Sequence, residues 1–140
     1  MWRPSERIRF ESSRGQVPTR EEAERSLLFS PLSIGRLNVE QRTWVPVMVP
    51  WRATDDGFVS DAILAWYDRF AKGRPGAIVV EATGVRDVPS GPLLRISDNR
   101  FIPGLTRLAD VVKRASGRRT RLFIQLIDFL RNRANSLNGS

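Results

Sequence analysis

The chain has 140 residues, 41% of them hydrophobic, and a formal net charge of +8 at neutral pH. That length suits one domain with a real core and is short for two. Cysteine and histidine are both absent, which excludes disulfides, thiol chemistry, the usual zinc ligands and an imidazole base. Acid-base work then falls to Asp, Glu, Tyr or a bound cofactor.

Residues 1–26 are polar, charged and aperiodic apart from the helix-compatible "TREEAERS", and read as a mobile or loosely docked arm. The opening lacks the apolar core of a secretory signal, and no run of eighteen apolar residues occurs. A cytoplasmic location with no membrane partner is the expectation. "LLFSPLSIGRLNVEQRTW" follows, alternating apolar and polar residues around Gly35-Arg36, a hairpin pattern. Three short apolar runs, "WVPVMVPW" (44–51), "GAIVVEATG" (76–84) and "RLFIQLID" (121–128), read as strands buried on both faces, as in a parallel sheet.

Two helices are predicted between those strands. In the first, Ser60 caps, Asp61 lies in the first turn, Ile63, Trp66, Tyr67 and Phe70 make the apolar stripe, and Gly73 stops it. In the second, Asp98 or Asn99 lies near the start and Pro103 in the first turn. Its stripe is Ile102, Leu105, Leu108, Ala109 and Val112, and Gly117 is its stop. The order is hairpin, strand, helix, strand, helix, strand, a run of parallel crossovers with no internal repeat. Residues 132–140 read as a polar tail.

The positive charge does not read as a nucleic-acid surface. Only Lys72 and Lys113 are lysines, the arginines are scattered, and the one dense cluster, "KRASGRRTR", falls where a helix ends and cations offset its partial negative charge. No nucleic-acid partner is expected.

The first strand-to-helix turn, "VPWRATDDGFVSD", has a single Gly57 and no G-x-G-x-x-G, so a dinucleotide-binding fold is disfavoured, and no P-loop pattern occurs. A hairpin ahead of the first parallel strand suits the opening of a (β/α)8 barrel, whose sites lie at the C-terminal strand ends.

Taken in order, "LLFSPLSIGRLNVEQR", "VMVPWRATDDG", "AWYDRFAKG", "GAIVVEATGV", "LRISDNRFIPGLTRLADVVK" and "RLFIQLIDFLR" resemble successive landmarks of the old yellow enzyme family, the FMN-dependent NADH:flavin oxidoreductases and ene-reductases. The resemblance runs over 27–131. It implies an α/β fold, the N-terminal fragment of a (β/α)8 TIM barrel, consisting of a hairpin plus about three βα units. It also implies FMN as cofactor, NADH or NADPH as reductant and a small-molecule acceptor such as an activated alkene. The strands that carry the family's proton donor and phosphate loops lie beyond the third, so the chain is expected to be truncated and to carry no assigned catalytic residue. The alternative is a non-catalytic barrel fragment, an interaction module that self-associates or is completed by a partner chain.

By the same resemblance, Val47, Met48 and Val49 stand where the family has Ala-Pro-Met followed by Thr or Cys, and Val49 cannot donate the hydrogen bond usual there. Ala82 matches the small residue whose backbone approaches the flavin ring, and Gln125 the amide that pairs with its pyrimidine edge. Trp51 falls where an aromatic neighbours the substrate. After Gln125 the family's His-x-Gly-Arg is replaced by Asp128-Phe129-Leu130-Arg131. Each of these also has a plainer reading: Gln125 as a satisfied core amide, Met48 as core filler and Trp51 as loop packing, while Glu81, charged at a strand end, suits a catalytic role or, more plainly, that of an ion-paired structural carboxylate.

Overall fold

The computed structural model describes residues 15 and 17–128. Phe129, Leu130, Arg131, the 132–140 tail and most of the expected arm lie outside the described residues. Within the arm, Arg20–Glu24 form a short helix, α1. A capping box starts it, with the Thr19 hydroxyl accepting from the Glu22 amide and the Glu22 carboxylate accepting in return.

The hairpin forms where its pattern places it. Strands β1 (Leu32–Ile34) and β2 (Leu37–Val39) are antiparallel, with Ile34 opposite Leu37. Gly35 takes the positive φ of 59° that a two-residue turn demands at its first position. The hairpin lies at the N-terminal ends of the parallel strands. Arg121 Nε donates to the Asn38 carbonyl over 2.9 Å, the Gln41 amide donates to the Arg74 carbonyl, and a Cβ on Gly76 would meet Gln41 O at 1.9 Å.

Beyond it stands a three-stranded parallel sheet in the order β3 (Trp44–Val45), β4 (Ala77–Gly84), β5 (Arg121–Ile127). The first strand is far shorter than the run 44–51 suggests. Pro46 and Pro50 carry no amide hydrogen, so the ladder ends at Val45 opposite Ile78 and the chain continues as irregular backbone. Burial on both faces is met by β4 alone, which is flanked on both edges, with helices over one face and the stacked Trp44 and Phe123 rings across the other. Among the described residues nothing lies beyond β5, and Ile124 and Leu126 remain 37% and 58% exposed.

Helices α2 (Asp61–Lys72) and α3 (Ile102–Ala115) cover one face of the sheet. The Ser60 hydroxyl caps α2 by accepting from the Ile63 amide at 3.2 Å, while Arg69 and Lys72 face its negative C-terminal pole. Gly73 ends it with an ordinary φ of −71°, and the left-handed residue of the turn is Arg74 instead. A single 3-10 turn, Asn99–Phe101, leads into α3, with the Asp98 carboxylate accepting from the Arg100 amide. The expected stripe of α3 holds at Leu108 and Val112, which are buried, and at Leu105, packed against them. It fails at Ile102, 52% exposed, because Phe101 takes the buried place at that end, its ring centroid 4.8 Å from that of Phe58. Ile63, Tyr67 and Ala71 of α2 meet Ile78 and Val80 of β4 and Leu108 and Val112 of α3, so the core lies between sheet and helices. Among the described residues no helix is long and apolar enough to cross a membrane.

Candidate functional site at the strand ends

Parallel strands share a direction, so the chain segments leaving β3, β4 and β5 gather at one end. Backbone hydrogen bonds tie them together there. Gly84 donates to Leu94 O at 2.8 Å and accepts from Ile96 N at 2.9 Å, Val85 donates to Ile127 O, and Arg95 N donates to Gly57 O at 3.1 Å. The buried guanidinium of Arg95 clamps the same end. Its Nη1 reaches the Asp56 carbonyl and the Asp87 carboxylate at 3.1 and 3.0 Å, and its Nη2 reaches the Asp55 carbonyl at 3.2 Å. Arg100 pairs with the other oxygen of Asp87, and Arg86 pairs with Asp128 at 2.6 Å. Nothing in the sequence marks Arg95 apart from the other arginines, because its partners come from loops 8 to 40 positions away.

The expected site residues fall into three groups. Ala82 and Gln125 are direct cross-strand partners, so they lie side by side on one face of the sheet. That face is opposite the helices and also carries Trp44 and Phe123, whose rings stack at 5.3 Å. Ala82 is buried. Gln125 is exposed, and among the described residues its amide makes no hydrogen bond, so it is not a satisfied core amide. Val47, Met48 and Val49 follow β3 outside any strand, with Met48 exposed and the two valines half-buried. Met48 is therefore not core filler.

Trp51 stands apart in its backbone. Its φ of 55° is left-handed, rare and costly for a bulky residue, and its side chain is 61% exposed. The ring lies over Gly91 of the loop after β4, where a Cβ would sit 3.5 Å from Cζ3.

Glu81 corrects an expectation. It is fully buried, and among the described residues it has no ion-pair partner. Burial pushes its carboxyl up to about 7. The Leu94 amide and Tyr67 hydroxyl pull the other way, close enough to be felt yet outside hydrogen-bond geometry for either carboxyl oxygen. Its backbone is well held: the N–H donates to Tyr67 Oη at 2.8 Å and the carbonyl accepts from Thr83 Oγ1 at 2.9 Å. An apolar groove of about 210 Å³ lies between β5 and α3, lined by Leu105, Leu108, Leu122 and Ile124, and does not include the Ala82–Gln125 pair.

The architecture is thus that of a parallel α/β unit whose candidate site lies at the carboxyl ends of its strands. Comparison with known proteins narrows the class. No protein-family model matches the chain. It is 38% identical over 91 residues to a metal reductase of Desulforamulus reducens, a match covering 63% of this chain and 13% of that protein. It is 35% identical over 89 residues to an NADH oxidase of Thermoanaerobacter brockii, covering 61% and 14%. The old yellow enzyme homologue of Zymomonas mobilis superposes with a TM-score of 0.62 at 22% identity, over 72% of this chain and 28% of that one. The likeness to old yellow enzyme structures is thus one of fold, and the likeness in sequence is to a metal reductase and an NADH oxidase, over part of each. The chain spans less than a sixth of the curated relatives it matches, 13% and 14% of their lengths.

Proposed function

We propose that this chain supplies the flavin-edge part of an FMN-dependent oxidoreductase, with β3, β4, β5 and their helices as the opening units of a (β/α)8 barrel. The observation that carries the reading is the Ala82–Gln125 pair, set at the strand ends with an unpartnered amide beside a side chain too small to obstruct. FMN, when bound, supplies the chemistry of accepting a hydride from NADH or NADPH and delivering it to an activated alkene or similar small-molecule acceptor. The residues present fit its ring. Gln125 offers both donor and acceptor, the complement of a pyrimidine edge. Ala82 leaves its backbone approachable, the Val47–Met48–Val49 backbone would line the ring, and Trp51 would neighbour the acceptor. Val49 brings no hydrogen bond, so tuning of the ring from that position is lost.

All these contacts go to the ring and none to the phosphate. Titration with FMN and with riboflavin should therefore give weak affinities that agree within about threefold, and Gln125→Leu should weaken both by about tenfold, the worth of one hydrogen bond. Absence of ring binding by the wild-type chain, or binding indifferent to Gln125→Leu, would overturn the reading.

One observation favours a second reading, an interaction module completed by a second copy or a partner chain: among the described residues β5 presents an unpaired edge with Ile124 and Leu126 exposed. Sedimentation with and without extracts of the source would separate a self-associating chain from one that takes a different partner.

A further inference from the structure

The alternation of β4 breaks at one residue. Ile78 and Val80 pack among the helices, opposite Leu122 and Ile124 of β5. Regular alternation would then carry Glu81 to the other face of the sheet and return Ala82 to the helix side. The ladder does the reverse. After Val80 opposite Ile124, the next pair is Ala82 opposite Gln125, so Glu81 is an extra residue, a bulge. Its N–H has left the ladder and is taken up by the hydroxyl of Tyr67 on α2. Both residues are essentially sealed from solvent, so without that hydroxyl the amide would be a buried donor with no acceptor.

We propose that Tyr67 is a positioning residue: by accepting the Glu81 amide, its hydroxyl holds the bulge that keeps the Glu81 side chain off the open face and sets Ala82 beside Gln125 there. The functional meaning of that placement rests on the reading of Ala82 and Gln125 as ring contacts, whereas the placement itself does not. With the ladder in regular alternation, a carboxyl-bearing side chain would stand where the flat ring is to lie. The acceptor is also well placed to act at a distance from the site. Tyr67 shares the buried face of α2 with Ile63 and Ala71, so its ring is locked by packing and its hydroxyl has one place to be.

Tyr67 is the chain's sole tyrosine, which makes the test specific. Amide hydrogen exchange and backbone resonances are followed by NMR in the wild type and in Tyr67→Phe, with the Ile78 amide of the same strand as the reference for global opening. The expected result is Glu81 exchange faster by about tenfold relative to Ile78, together with shifted resonances at Ala82 and Gln125. Equal acceleration along β4 with Ala82 and Gln125 unmoved would make Tyr67 a merely stabilising residue and overturn the proposal. If Tyr67→Phe does not fold, 3-fluorotyrosine, nearly isosteric and a weaker acceptor, carries the same comparison. Faster exchange at Glu81 alone supports the proposal, and no change overturns it. Riboflavin titration of the same samples separates the two ideas. Local changes at Ala82 and Gln125 in a chain that binds no flavin uphold the positioning role and sink the flavin reading. Flavin binding with exchange at Glu81 unaltered does the opposite.

Discussion

Gly57 and Arg95 occupy adjoining space that no side chain on Gly57 could share. A Cβ there would come within 2.5 Å of Arg95 Cγ, and the φ of 88° is one that other residues avoid. The contact matters because Arg95 is buried and clamps the loop after β3 to the loop after β4 through the carbonyls of Asp55 and Asp56 and the carboxylate of Asp87.

Gly57→Ala should therefore destabilise the chain by roughly 3 kcal/mol, combining left-handed strain with displacement of a packed side chain. Urea unfolding would show the loss as a lower midpoint at unchanged slope. A change below about 0.5 kcal/mol, the level of an ordinary surface substitution, would mean that the Arg95 clamp is not formed in solution.

Glu81 predicts how stability depends on pH. Its carboxyl is raised from 4.5 to about 7 in the folded chain, chiefly by burial. The folded state therefore holds the proton more tightly than the unfolded state does. The associated stability is fully present below 4.5 and is lost as pH rises through about 7. The loss between pH 5 and 8 should be roughly 3 kcal/mol. Asp56 and Glu22, held low mainly by hydrogen bonds from Thr54 and from the Thr19 backbone, titrate beneath this window and do not mask it. Glu81→Gln should flatten the profile. A wild-type midpoint in urea that is level across the window would show Glu81 reaching solvent or a partner.

Gln125 separates binding from folding. Its side chain is exposed and bonded to nothing among the described residues, so Gln125→Leu should change stability by no more than about 0.5 kcal/mol. Any loss of flavin affinity then belongs to the site. A destabilisation above about 1 kcal/mol would return Gln125 to a structural role.

The β5 edge predicts self-association. Ile124 and Leu126 share the side of β5 that borders the apolar groove beside α3. Leu126→Lys places a charge on that side, a known brake on edge pairing. The variant should sediment as a smaller species than the wild type at equal concentration, with its circular dichroism preserved. Identical sedimentation of the two would exclude this face as the contact.

Much of the fold is legible locally. The Ser60 cap, the stripe through Ile63 and Tyr67, the Gly35 turn and the proline near the start of α3 each act within a few residues, and each element forms where they point. Even the shortness of β3 is local in cause, since two prolines interrupt its ladder, although the apolar run alone conceals it.

Sequence by itself determined the order of elements, the helix boundaries, the hairpin and the resemblance to the old yellow enzyme family, because propensity, capping and motif spacing are properties of neighbouring residues. Only the tertiary structure decided which strand is buried on both faces and which residue faces the open side. "GAIVVEATG" read as a regular strand would send Glu81 to the open face, yet pairing with β5 and the Tyr67 hydroxyl make Glu81 an extra residue and bring Ala82 beside Gln125. The physical reason is that a bulge is settled by partners outside its own strand: an acceptor on α2, a register on β5, and a helix layer that closes over the carboxyl group.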